Sequence, residues 1–91
     1  MYIFIVNPIA GGGRGQRAFS KILESQLYKE INSTYYLTEY KGHAEEITVK
    51  LIEKHKNKNA SLFVIGGYGT LHEFIHGLGN EYIPISFIPG G

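Results

Sequence analysis

The 91-residue sequence contains no cysteine, so disulfides and thiolate metal sites are excluded, although this identifies no compartment. It has almost no net charge. Nine Lys and Arg against eight Asp and Glu leave +1, which gives no electrostatic reason to expect nucleic acid or an anionic membrane as partner. Basic leader and long apolar run are both missing. The chain enters Tyr2-Ile3-Phe4-Ile5-Val6 directly, far short of the about 20 apolar residues that span a bilayer. Neither a signal peptide nor a membrane span is expected, and cytoplasm is the default location. There is also no repeat, linker or low-complexity stretch. What remains is one small domain with an ordinary 43% apolar content, able to bury about 60–65% of its unfolded surface.

The organising stretch is Ser61 to Glu73. Ser61 to Ile65 reads as a buried strand that stops at Gly66-Gly67-Tyr68-Gly69. An amphipathic helix then opens, with Leu71, Phe74, Ile75 and Leu78 at helical spacing. Thr70 and Glu73 have N-cap and N3 spacing, which predicts a reciprocal capping box. Free backbone N–H groups at a positive helix end suit an anion, most often phosphate. A tight turn that merely needs glycine is the competing reading.

The rest alternates in the same way. Tyr2 to Val6 is continuously apolar, as expected of a strand covered on both faces. Asn7-Pro8 ends it, and Gly11 to Gly15 form a loop. Phe19, Ile22, Leu23 and Leu27 mark a helix running to about Glu30. Thr34 to Thr38 is β-branched and aromatic, a second strand. Gly42 precedes a helix with Ala44, Ile47, Leu51 and Ile52 on one face, and 56–59 is a polar turn. Gly79 is a natural helix C-cap. Ile83 to Ile88 is the last strand, with Pro84 at its start or on an edge.

Strand, helix, strand repeated along a chain means right-handed crossovers and a parallel sheet. The fold class is therefore α/β, three layers (α/β/α) around a parallel, Rossmann-like sheet, in one domain over residues 1–91. All βα loops of such a sheet emerge at its carboxyl edge. Those after Val6, Thr38, Ile65 and Ile88 converge there. With strand order 2-1-3-4, Asn7 to Gly15 and Gly66 to Thr70 flank the crevice between strands one and three. A nucleotide phosphate site on that edge follows.

The motifs narrow the nucleotide only in part. No Gly-Lys-Ser/Thr run exists, so there is no Walker A loop. Gly13-x-Gly15-x-x-Ala18 fits the looser dinucleotide fingerprint, with Glu39 placed to hold a ribose, but its glycines begin too far past the strand. His72-Glu73-Phe74-Ile75-His76 spells H-E-x-x-H. Glu73 is committed to the predicted cap and no third ligand is in view, so a chance match outweighs a zinc site. His43 and His55 read as helix-surface histidines. Arg14 and Lys41 stand near enough to the loops to meet a phosphate or simply to be solvated.

Four motifs together resemble a family. Asn7-Pro8-x-Ala10-Gly11-Gly12-Gly13, Thr38-Glu39-x-x-Gly42-His43-Ala44, Gly66-Gly67-x-Gly69-Thr70-Leu71-x-Glu73 and Ile88-Pro89-x-Gly91 occur in that order. The chain resembles the N-terminal, nucleotide-binding domain of the diacylglycerol kinase catalytic family, which includes soluble bacterial lipid kinases and sphingosine kinases and shares its glycine motif with NAD kinases. The resemblance implies ATP-dependent, Mg²⁺-assisted phosphorylation of a diacylglycerol-like lipid hydroxyl. It implies an ATP site lined by Asn7, Pro8, Ala10, Gly11, Thr38, Gly66, Gly67, Gly69, Thr70, Leu71 and His72. It further implies a second, β-rich domain that holds the lipid and supplies the acidic base, absent from these residues, and peripheral membrane contact by the full-length protein.

The chain departs from the pattern in three ways. Tyr68 stands where the family has Asp, which leaves the phosphate-binding backbone but removes the expected metal partner. His72 stands where the family has Asn. The sequence stops inside the last glycine motif. No catalytic residue and no metal ligand are therefore expected in this chain, and Mg²⁺ should help little. Three functions stay open: the ATP-binding part of a lipid kinase, inactive alone; a non-catalytic nucleotide-binding or regulatory module; and an NAD-binding domain.

Overall fold

The computed structural model describes residues 1–55, 59–81 and 83–90. Along the chain run β1 (Tyr2–Val6), α1 (Ala10–Glu24), α2 (Gln26–Glu30), β2 (Ser33–Leu37), α3 (His43–Lys54), β3 (Ser61–Gly66), α4 (Tyr68–Leu78) and β4 (Ile85–Pro89). The strands form one sheet of order β2-β1-β3-β4, and every pairing is parallel. β1 lies in the centre, with Ile3 in register with Thr34 on one side and Leu62 on the other.

The apolar runs of β1 and β3 are continuous because both faces are covered. Ile3, Ile5, Leu62 and Val64 pack with Ala44, Ile47 and Leu51 of α3 and Phe74 of α4. Phe4, Val6 and Ile65 point the other way, onto Phe19 of α1. Phe19 and Phe74, one on each face, are the largest fully buried side chains. Each such burial stabilises the fold by about 2–3 kcal/mol. This is the three-layer parallel arrangement that the hydrophobic pattern predicts.

Several boundaries differ from the sequence reading, each for a local reason. The first long helix breaks at Ser25, whose hydroxyl donates to the Ile22 carbonyl (2.8 Å) and accepts the Tyr28 N–H (3.1 Å) to start α2. Leu27 therefore leaves the core face and is 71% exposed. On α3 the fourth core position is Thr48 rather than Ile52. Its hydroxyl is satisfied by the Ala44 carbonyl at 2.7 Å, so it is buried without an orphaned group. Ile75 of α4 is half exposed. β4 starts at Ile85, after Pro84, whose carbonyl accepts the Leu62 N–H at 3.0 Å. Gly79 does end α4. The polar turn at 56–59 falls largely, and Gly91 wholly, outside the described residues.

The glycine loop after β1 is a left-handed turn. Gly11, Gly12 and Gly13 have φ of 60°, 67° and 103°, a region that side chains disfavour. Right-handed helix follows, and Gly15 is already inside it and buried.

Candidate functional site

The carboxyl ends of all four strands meet at one edge and are sewn together by backbone. The Asn7 N–H donates to the Ile65 carbonyl (2.8 Å), Thr38 N–H to Val6 (2.8 Å) and Gly90 N–H to Gly66 (3.0 Å). The Asn7 side-chain amide then donates to the Thr70 hydroxyl at 3.0 Å. This clasp joins the end of β1 to the first turn of α4, across the two parallel strands where the sheet's strand order reverses. A cleft of about 260 Å³ opens beside it. Asn7 and Ile9 line it from the β1 side, Thr38 to Lys41 from the β2–α3 loop, and Thr70 and Glu73 from α4. A larger cleft, about 490 Å³, lies at the opposite, amino edge around Met1, Ser61 and Ile83, away from all the glycine turns.

The glycines around the crevice are there for different reasons. At Gly15 a Cβ would sit 2.1 Å from the Asn7 carbonyl oxygen, and at Gly66 it would sit 2.8 Å from the Thr70 hydroxyl. Both positions are glycine because backbone and clasp come too close for anything else. At Gly67 and Gly69 a Cβ would meet nothing within 4 Å. Neither has a positive φ, so neither conformation nor packing demands glycine there. Space left open beside helix N–H groups is what a phosphate needs.

The capping box predicted at Thr70 and Glu73 does not form. α4 opens three residues earlier, with Gly67 as N-cap and no side chain capping it, and its first helical bond is Leu71 N–H to the Gly67 carbonyl at 3.1 Å. Thr70 thus lies inside the first turn, where its hydroxyl oxygen accepts from the Asn7 side-chain amide. Glu73 reaches across to α3 and accepts the Ala44 N–H at 3.2 Å. A carboxylate from α4 therefore caps the positive end of α3.

Of the residues expected at an ATP site, Asn7, Thr38 and Thr70 come together in the cleft, with Gly66 beneath the clasp and Gly67 and Gly69 at the opening of α4. The Pro8 carbonyl accepts the Gln16 N–H (3.0 Å); Ala10 lies against Gly15; Gly11 is exposed in the left-handed turn. Leu71 turns its side chain to the core, and His72 is exposed. The cleft also holds Ile9 and Tyr40, which no motif singled out. Tyr40 stacks on His43 with ring centroids 4.3 Å apart, and its hydroxyl donates to Glu46. That bond, followed by the cost of partial desolvation, raises the phenol above its ordinary range. His43 Nδ1 in turn accepts the Glu39 N–H at 2.9 Å, so this histidine braces the loop that walls the cleft.

The donor set does not fit a magnesium ion at the turn. Tyr68 is 78% exposed, its ring 6.0 Å from Phe87 on the rim, and a phenol is a poor partner for a hard cation that prefers carboxylate and phosphate oxygens. Glu73 is engaged by α3. His76 Nδ1 lies 3.4 Å from Glu45, so the H-E-x-x-H residues do not converge. Among the described residues no three His, Asp or Glu side chains gather as a metal-binding group.

With this geometry in view, the comparisons are consistent. A family described as "Diacylglycerol kinase catalytic domain" matches residues 1–91. The chain is 36% identical over 91 residues to the "Putative lipid kinase YtlR" of Bacillus subtilis (strain 168), covering 99% of this chain and 29% of that protein. It resembles a solved structure described as "A putative diacylglycerol kinase from Bacillus anthracis str. Sterne", with TM-score 0.77, 27% identity, and coverage of 99% of this chain and 32% of that one. Another, of "a diacylglycerol kinases" from the same organism, gives TM-score 0.75 and 27% identity, again over 99% and 32%. The chain thus spans about three tenths of the length of these relatives.

Proposed function

The chain belongs to the diacylglycerol kinase catalytic domain family, and from that premise we propose that it is the ATP-binding part of a protein that phosphorylates a diacylglycerol-like lipid hydroxyl. The observation that carries this reading is the Asn7–Thr70 clasp with open backbone beside it at Gly67 and Gly69. The N–H groups at the start of α4 hold the phosphates, Thr38 and the loop to Lys41 form the far wall, and the clasp fixes the distance between the two. ATP supplies the phosphoryl group; this chain binds and orients it. The lipid and the base that deprotonates its hydroxyl belong to the remainder of the protein, so these 91 residues alone bind without catalysis. No helix among the described residues is long and apolar enough to cross a membrane. Peripheral contact between a cytoplasmic full-length protein and its lipid is in keeping with that. Tyr68 also supports a second reading, in which the crevice keeps the nucleotide but serves a regulatory role.

With Tyr68 at the turn, nucleotide binding should be nearly indifferent to magnesium. Calorimetric titration of the chain with ATP should give affinities equal within about twofold with Mg²⁺ and with EDTA. Tyr68→Asp should introduce a Mg²⁺ gain of about tenfold or more. A large gain in the unaltered chain would show that another group holds the ion. Binding of NAD in preference to ATP would move the assignment to a dinucleotide domain. In the full-length protein, Tyr68→Asp should raise lipid phosphorylation by about 2 to 4 decades, since metal ions supply several kcal/mol of transition-state stabilisation. A kinase with Tyr68 as fast as the variant would exclude this role for the turn.

A further inference from the structure

The two edges of the sheet are protected unequally. β4, at one edge, is bracketed by proline, with Pro84 just before it and Pro89 at its end. Proline, charge, a bulge or extreme shortness is how exposed edges are normally kept from pairing. β2, at the other edge, reads Ser33-Thr34-Tyr35-Tyr36-Leu37 and carries neither proline nor charge. Its five residues pair with β1 in unbroken register, so there is no bulge. Tyr35 and Leu37 are 46% and 41% exposed.

Beside this edge runs a groove of about 360 Å³ between β2 and α3. Tyr36 and Leu37 form one wall, and Ile47 and Leu51 the other. Lys50 and Lys54 line it as well, and among the described residues no carboxylate does. Both lysines are exposed, and neither has an ion-pair partner among the described residues. The acids of α3 are turned elsewhere. Glu45 lies near His76, Glu46 takes Tyr40, and Glu53 lines a cleft on the α4 side.

We propose that the β2 edge takes up an extended acidic peptide as a fifth strand, with carboxylates on alternate residues meeting Lys50 and Lys54. Residues four apart on a helix have Cβ atoms about 5–6 Å apart. Alternate residues on a strand are about 6.6–6.8 Å apart along its axis. The two spacings match closely enough for flexible lysines to reach both carboxylates. Backbone pairing along β2 supplies affinity, and the lysines select charge. A second copy of this chain is the poorer occupant, because two-fold pairing of β2 with itself would bring one lysine pair towards the other. This inference is independent of what the nucleotide crevice binds.

The test is fluorescence anisotropy with the labelled peptide Glu-Val-Glu-Val-Glu-Val. The chain should bind it, and Lys50→Glu/Lys54→Glu should weaken binding by about tenfold or more, since two attractive contacts become repulsive. The same peptide N-methylated at every residue keeps its charge but has no backbone N–H left for the ladder, and should bind about a hundredfold more weakly. Equal binding of the methylated peptide would reduce the effect to charge attraction and overturn the proposal. So would equal binding of Lys-Val-Lys-Val-Lys-Val, failure of the acidic peptide to bind, or lysine-dependent binding of phosphatidylglycerol vesicles without peptide binding. A concentration-dependent dimer in sedimentation that the peptide fails to dissociate would give the edge to a second copy and likewise overturn it.

Discussion

The two turns that face each other across the crevice use the same residue for opposite ends. After β1, glycine is required: Gly11 to Gly13 supply left-handed backbone and Gly15 lets α1 pass against the Asn7 carbonyl. After β3, only Gly66 is required, and Gly67 and Gly69 leave room that nothing among the described residues fills. The first turn is built to hold the fold together, whereas the second also leaves space for something else. A glycine count along the sequence merges the two. Their separation needs the position of the atom that a side chain would meet.

Alanine substitution should split the turns by sign. The largest effect is expected at Gly15. Its Cβ would lie 2.1 Å from the Asn7 carbonyl oxygen, so the helix must move away, at about 3 kcal/mol. For a small domain that is a large share of the total, and urea unfolding would read it. A loss below about 0.5 kcal/mol, within the range of an ordinary surface change, would mean that this approach is not rigid. An intermediate effect is expected where the second turn's helix is tied to its neighbour. Glu73→Ala removes the acceptor for the Ala44 N–H and should cost about 1 kcal/mol. Glu73→Gln keeps an oxygen there and should lose less; equal losses would place the effect in the charge rather than the bond. The smallest effect is expected at Gly69, with the sign reversed. Gly69→Ala meets no atom within 4 Å and should stabilise the helix by about 0.5 kcal/mol while weakening ATP. Unchanged ATP affinity would indicate that the open space is not the phosphate site.

The strands were legible because burial on both faces leaves unbroken apolar runs such as Ile3-Phe4-Ile5-Val6, which nothing else in a short chain explains. Parallel order then placed the loops on one edge without further information. The start of α4 was not legible. Thr70 and Glu73 match a capping box by composition, yet the groups that take them lie far away in the chain. Asn7 claims the threonine, and Ala44, 29 residues before Glu73, claims the carboxylate. The break at Ser25 was hidden because the hydrophobic period runs on through Leu27, while a serine hydroxyl satisfying both helix ends overrides it. Ile9 and Tyr40 belong to no motif, and their place in the cleft follows only from where the β1 and β2 strands end.

The central position of β1 has a consequence for the order in which the chain folds. Of the four strands β1 is made first, yet like β3 it has neighbours on both sides, and Ser61, the partner of Tyr2 on its second side, is made much later. β2 can join it early, yet the apolar Ile3 to Val6 keeps an open flank until β3 has been made. Every ladder in this sheet joins strands that are distant in sequence, so loop closure must precede pairing and folding is intrinsically slow. During that interval the residues that later form the most protected part of the domain are its most aggregation-prone surface.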